Sequence, residues 1–331
     1  MSSLYLLEQG IWVGKDGEQL AIHRKREVVR QIPLPLIDRI FVFGRIHLSI
    51  EVLRTCLRRR IPLALLSRQG WLYGTLSPPQ QGRLHLRRAQ QRVQEESERS
   101  LRLAQSLVEA KIHNQRVLLQ RLNRRRPIAE NEFAVDVLRY LESRVPQTSN
   151  IAALLGNEGA AAAQFYPAYG RQLQDSEFRL VERIRRPPTN PANAVLSFGY
   201  SLLWNHVRAV VELHGCDPYL GHLHVPRDDH LALISDLIEP FRTPIIDSLV
   251  LTMVNRRMFT SEDFEYANGA CFLADSGRRK FVTQFQQIMG ETIQLPNGRD
   301  GVRWKLIDQG VENYKTALQN PELPFNVYRI R

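Results

Sequence analysis

The sequence has few cysteines: Cys56, Cys216 and Cys271 are the only ones in 331 residues, odd in number and far apart. That excludes a disulfide framework and reads as free thiols of a reducing compartment. Long apolar runs are also missing, since no window approaches the roughly 18 uninterrupted apolar residues of a membrane span. The opening stretch MSSLYLLEQG has no basic run followed by an apolar block, so no secretory leader is read there. A soluble, cytoplasmic protein with no membrane partner is expected. There is no internal repeat. Gly and Pro are absent from Arg88 to Arg126, and apolar residues at Val93, Leu101, Leu103, Leu107, Ile112, Leu118, Leu119 and Leu122 suit one or two long helices there.

What is abundant is positive charge. The net charge is +11, and Arg83 to Arg126 alone holds twelve Lys or Arg against four acids, an excess of eight. A concentrated basic stripe is the footprint of a polyphosphate partner such as DNA. A helix whose arginines lie in solvent, or pair with acids elsewhere, gives the same count.

The chain is long for one domain, and a prior of roughly 100–200 residues per domain suggests two. Its first eighty residues read as short strands (LYLLEQGIWVG, QLAIHR, RIFVFGRIHLSI, IPLALLSRQG, WLYGTLSP) separated by turns, with one helix at SIEVLRTCLRRR. SPPQQG, residues 77–82, is a candidate linker, and beyond it the pattern is helical. The expected fold class is α+β: a small β-rich domain over 1–82, then a larger all-α domain over 83–331.

Chemistry concentrates in GHLHVPRDDHLALISDLIEPFR, residues 221–242, with three histidines and four carboxylates. Leu231, Ile234, Leu237, Ile238 and Phe241 mark the apolar face of a helix. Asp236 and Glu239 are neighbours on its other face. Such a pair can share a divalent cation or simply lie in water. Pro240 cannot donate to the carbonyl of Asp236, so the helix is expected to kink or end beside the acids. His222 and His224, two apart in an extended segment, point the same way. His230 reads as part of a turn, with Asp228 or Asp229 as N-cap. Glu158 falls where an alanine-rich helix is expected to begin. An acid there is favoured by the helix dipole, but Gly159 and the following alanines also leave room for a bulky ligand.

Several stretches resemble one family, the CRISPR-associated endonuclease 1 family, nearly end to end. LYLLEQG, IPLPLIDRIFVFGRIHLS and IPLALLSRQGWLYGTL are similar to its amino-terminal β-domain, and KIHNQRVLLQR to its first long catalytic-domain helix. LLGNEGAAAAQFY resembles its glutamate segment. RRPPTNPANAVLSFGYSLL, GCDPYLGHLH and LALISDLIEPFR resemble its central signature, and DSGRRKF a late basic motif. The resemblance implies a metal-dependent integrase of spacer acquisition, with Glu158, His224 and Asp236 as ligands of Mg²⁺ or Mn²⁺. Glu239 follows as a further catalytic residue that orients water or tunes a ligand. His222 stands where the family has an apolar residue, and the loop VPRDDH lacks the family's Gly-Arg-Pro. Implied partners are double-stranded and branched DNA, a second copy of the chain joined through the β-domain, and CRISPR-associated protein 2. Candidate phosphate contacts are the arginines of 83–126, Arg183, Arg185, Arg186, Arg242, Arg278, Arg279 and Lys280. Tyr166 and Tyr169 are candidates for base stacking or for the core. A non-catalytic DNA-binding scaffold of the same fold is the alternative. A small-molecule metallohydrolase built on His-x-His is disfavoured by the helical carboxyl half.

Overall fold

A computed structural model describes residues 2–25, 27–67, 72–76, 84–296 and 298–330. The chain divides into two units, Met1–Gly82 with Val282–Gly290, and Arg83–Phe281 with Glu291–Arg331. A single cut in sequence does not foresee the return of Val282–Gly290 to the first unit. The expected linker at 77–82, and the turn at Gln69-Gly70, lie outside the described residues.

Among the described residues the first unit holds eight strands: β1 (Ser2–Leu6), β2 (Trp12–Asp16), β3 (Gln19–Arg24), β4 (Glu27–Pro33), β5 (Ile37–Phe43), β6 (His47–Leu48), β7 (Leu63–Leu66) and β8 (Leu72–Leu76). They form two four-stranded sheets, ordered β4-β3-β2-β6 and β1-β5-β7-β8. Strands β1, β5 and β7 run parallel. This explains why IDRIFVF is buried almost throughout instead of alternating. Helix α1 (Ile50–Arg58) starts at Ser49, whose side chain accepts from the Val52 N–H. Its Val52 and Cys56 join Val13, Leu20, Ile40, Val42 and Leu63 in one core. Strand β4 is absent from the sequence reading; its side chains are nearly all exposed, so EVVRQIP carries no apolar alternation.

The second unit is helical as expected: α2 (Leu84–Glu95), α3 (Ser97–Arg125), α4 (Ala129–Arg144), α5 (Ile151–Gln172), α6 (Pro191–His214), α7 (Ala232–Phe241), α8 (Ser248–Asn255), the first half of α9 (Asp275–Gly290) and α10 (Lys305–Gln319). It also carries two short hairpins, β9 (Phe264–Ala267) with β10 (Ala270–Leu273), and β11 (Thr292–Gln294) with β12 (Asp300–Val302). Asn190 caps helix α6, Pro191 occupies its first turn, and Gly215 closes it at φ 72°. Long helix α3 is the spine, packed by α4, α5 and α7. Among the described residues no helix is long and apolar enough to cross a membrane.

Candidate functional site

Five side chains from three helices and one loop meet in the second unit. Helix α5 begins at Ile151, capped by Asn150, so Glu158 lies about two turns inside it. The expectation that Glu158 opens the helix is therefore corrected, and dipole stabilisation does not account for the acid. Helix α7 is buried on every side, with Ser235 half-buried. Asp236 and Glu239 are consequently not on a wet face. The Lys111 ammonium, from α3, bonds Glu158 Oε1 and stands 2.5 Å from Glu239 Oε2, an ion pair without hydrogen-bond angles. Lys111 and Glu239 are buried, Lys111 most deeply at 4% exposed, and Glu158 is half-buried. Burial works against the Lys111 charge, but Glu239 and Glu158 outweigh it and raise its pKa. The same happens in reverse at Glu239. Burial pushes it up, while Arg242 and Lys111 hold it far below the usual carboxylate range.

Asp236 does something different. Its Oδ2 accepts from the His222 and Leu223 backbone N–H groups at 2.5 and 2.9 Å. Its Oδ1 accepts from the His224 N–H at 3.0 Å and from His224 Nδ1 at 2.7 Å. All four lone-pair positions of a carboxylate are thereby filled. Asp236 is fully buried, and the loop wraps it as a backbone nest. Gly221 makes this possible: a Cβ there would lie 2.8 Å from Ala232 and 2.9 Å from Asp236 Oδ2. The proton on His224 sits on Nδ1, leaving Nε2 without a partner among the described residues. Burial lowers the His224 pKa, but the bond to Asp236 and the charges of Asp236 and Glu239 raise it overall.

The two acids on α7 thus stand in different surroundings. Asp236, expected as a metal ligand, has no lone pair to give. Glu239 faces Glu158 across a cation. Among the described residues no three His, Cys, Asp or Glu side chains stand close enough to enclose an ion as they lie, because the ammonium separates the two glutamates.

The other histidines are spoken for. His222 bonds Ser100 Oγ at 2.9 Å and Tyr314 Oη at 2.8 Å through its two nitrogens, and burial lowers its pKa to about 4. His230 lies in a tight turn closed by a bridge to Arg227, its ring 5.7 Å from that of His224. Helix α7 starts after Leu231 with no side-chain cap, so neither Asp228 nor Asp229 is the expected N-cap.

Three of the candidate phosphate contacts are hydrogen-bonded within the chain, Arg242 and Arg278 buried and Arg183 half-buried. Arg242 bonds Glu239 Oε1 at 2.8 Å and lies 4.0 Å over the Tyr200 ring. Arg183 bonds the Ile184 carbonyl, Asn193 and Ser197 at 2.6 to 2.8 Å. Arg278 bonds Asp275 and the Leu273 carbonyl. Lys280 pairs with Asp263 at 2.6 Å and stays 40% exposed. Arg185, Arg186 and Arg279 are exposed, as are Arg121, Arg124, Arg125 and Arg126 at the carboxyl end of α3. Tyr166 and Tyr169 are core residues, at 4% and 0% exposed.

Sequence reasoning missed Lys111. Its signal was a polar pair, Lys111 and Asn114, inside the apolar stripe Leu107, Leu118 at helical spacing.

A family model described as CRISPR associated protein Cas1 matches residues 4–287. An exonuclease Cas4/endonuclease Cas1 fusion from Geobacter sulfurreducens is 34% identical over 329 residues, 97% of this chain; the chain spans 59% of that protein's length. The endonuclease Cas1 1 of Chlorobaculum tepidum is 31% identical over 303 residues, 89% of this chain and 88% of that one. Among solved structures, a Cas1 protein from Thermotoga maritima superposes over the full length of both chains with a TM-score of 0.83 at 26% identity. With a family model matched over most of its length and relatives above 30% identity, the chain belongs to the Cas1 family.

Proposed function

We propose that this cluster is the phosphodiester-transfer centre of a Cas1-family DNA endonuclease and integrase. The reaction joins a DNA 3′-hydroxyl to a phosphodiester of a CRISPR repeat, forming one P–O bond and releasing the repeat strand's own 3′-hydroxyl. The observation that carries this is the meeting of Glu158 and Glu239, from two helices, at one buried cation beside an imidazole with a free Nε2. Two carboxylates and one imidazole fit a divalent ion, Mg²⁺ or Mn²⁺, the nitrogen moving preference toward Mn²⁺. Glu158, Glu239 and His224 would hold it once the Lys111 ammonium gives up its place. When bound, such an ion neutralises charge at the phosphorus and at the attacking and leaving oxygens. Asp236 orients His224 by fixing its tautomer. Arg242, stacked on Tyr200, keeps Glu239 ionised and in place.

Exposed Arg121, Arg124, Arg125, Arg126, Arg185, Arg186 and Arg279, with part-exposed Lys280, are the proposed phosphate contacts for double-stranded and branched DNA. In the first unit Trp12, Val28, Val29, Leu36 and Tyr73 are 45–74% exposed, which supports a homodimer joined there. The family likeness implies CRISPR-associated protein 2 as a further partner. The three buried cysteines, none of them in a disulfide, support a cytoplasmic setting. A scaffold would not need an acid–lysine–acid cluster, which is costly to bury.

The test is half-site integration of a short duplex with a 3′-hydroxyl into repeat DNA, with Mn²⁺ and CRISPR-associated protein 2. Glu158→Gln and His224→Ala are expected to abolish product and keep DNA binding. Product at the wild-type rate in either variant means that the centre lies elsewhere.

A further inference from the structure

Two prolines interrupt the helix that carries Glu239. Pro240 has no N–H for the carbonyl of Asp236, and Pro244 has none for the carbonyl of Pro240. The backbone widens into a π-helical turn over Arg242–Asp247. Pro240 is buried, so its carbonyl needs a donor from another element. Asn114 Nδ2 supplies it at 2.7 Å. Asn114 is itself fully buried, and its remaining capacity goes to one segment: Nδ2 also reaches the Tyr328 carbonyl at 3.2 Å, and Oδ1 accepts from the Ile330 N–H at 2.8 Å.

That segment, 325–330, has no regular secondary structure and is pinned along its length. His113 Nε2 lies 3.0 Å from the Ile330 carbonyl, and Arg329 pairs with Glu109 at 2.9 Å. The Tyr328 ring stacks on Phe241, the last residue of α7, at 6.0 Å and 15°. Phe325 packs against Tyr314 at 5.8 Å, and Tyr314 holds His222 in the loop that wraps Asp236. One end therefore backs the histidine loop, and the other backs the carboxyl end of α7. The segment also lies beyond residue 287, where the match to the Cas1 family model ends.

We propose that Phe325–Ile330 is a strap that positions Glu239 and the His224 loop, with Asn114 and Tyr328 as its positioning residues. The proposal rests on the reading of Glu239 as part of the reacting centre. A helix end deprived of two backbone donors is a soft place for a functional acid. Asn114 and the ring of Tyr328 replace from outside what the prolines remove from within.

The test uses the full chain and reads hydrogen exchange by mass spectrometry beside strand-transfer kinetics. In Tyr328→Ala, amide exchange over 236–248 is expected to quicken about tenfold while exchange over 12–24 is unchanged. The kcat of strand transfer falls about tenfold, with KM for DNA within about twofold. Tyr328→Phe, which keeps the stacking, behaves as wild type. A chain lacking 321–331 shows the same loss, and a peptide of residues 321–331 added in trans restores it. Unchanged exchange over 236–248 in Tyr328→Ala overturns the proposal, and so does quickened exchange across the whole helical unit. Wild-type activity in Glu239→Gln would sink the reading of the centre instead, leaving the exchange result to judge the strap.

Discussion

Asp236→Asn replaces one oxygen by an amide nitrogen at a carboxylate that accepts four hydrogen bonds in a site closed to water. The single oxygen left can keep two of the four donors. The new NH₂, turned to the His224 side, opposes the His224 N–H, and Nδ1 can accept from it only in the other tautomer. A buried donor left unsatisfied costs about 1–3 kcal/mol, and the changed tautomer with the lost charge assistance to the remaining donors adds to that. The expected loss is about 3–5 kcal/mol. In a helical unit of this size it lowers the thermal midpoint by about 6–20 °C. The assay is differential scanning fluorimetry with and without Mn²⁺. Asp236→Asn is expected to start from a lower midpoint yet still gain from Mn²⁺, because the ion's holders remain. Glu239→Gln is expected to lose the Mn²⁺ increment. An Asp236→Asn protein within about 1 kcal/mol of wild type would refute the four-bond account. An increment lost in Asp236→Asn but kept in Glu239→Gln would return the roles of ligand and orienter to their sequence-based assignment.

Lys111→Met leaves Glu158 and Glu239 facing each other without their shared cation. The metal-free protein is expected to lose about 3–5 kcal/mol and to show a larger Mn²⁺ increment than wild type, read by the same fluorimetry. Gly221→Ala drives a methyl into Ala232 and Asp236 Oδ2 and is expected to cost about 1–3 kcal/mol by urea unfolding. His222 has a folded pKa of about 4, below its ordinary value, so between those two values the unfolded chain binds more protons. Stability is therefore full above about pH 6.5 and falls by roughly 3 kcal/mol as pH drops through that window. A pH series of unfolding midpoints checks this, and His222→Gln is expected to flatten the slope. Replacing Arg121, Arg124 and Arg125 by Gln is expected to reduce the slope of log affinity against log salt for duplex DNA by about 0.9 per contact removed; an unchanged slope places the DNA elsewhere.

Elements with a local signature were legible in sequence. The run from Arg88 to Arg126 without Gly or Pro, with its apolar residues at helical spacing, falls in α2 and α3. The apolar strand β5 stood out because both of its faces are buried. Strand β4 was illegible because its side chains face solvent, so the pairing to β3 that makes it a strand leaves no trace in composition. At the site, residue types were legible and roles were not. The spacing of Asp236 and Glu239 gave their proximity but not which acid the backbone of residues 222–224 would wrap. That depends on Gly221, whose missing Cβ lets the loop close over the carboxylate. Arg242 and Arg183 looked like surface cations because charge in a sequence says nothing about burial. Their acceptors, Glu239 for Arg242 and Asn193 for Arg183, become visible only in three dimensions. Lys111 belongs to the same class, a charge whose meaning lies in two acids 47 and 128 positions away.

The most direct measurement is an anomalous difference map from Mn²⁺-soaked crystals of the full chain. A single strong peak bounded by Glu158, Glu239 and His224 Nε2, with the Lys111 ammonium displaced and Asp236 still wrapped by the loop, is the predicted result. A peak coordinated by Asp236, or Lys111 still lodged between the two glutamates at saturating Mn²⁺, would contradict the account.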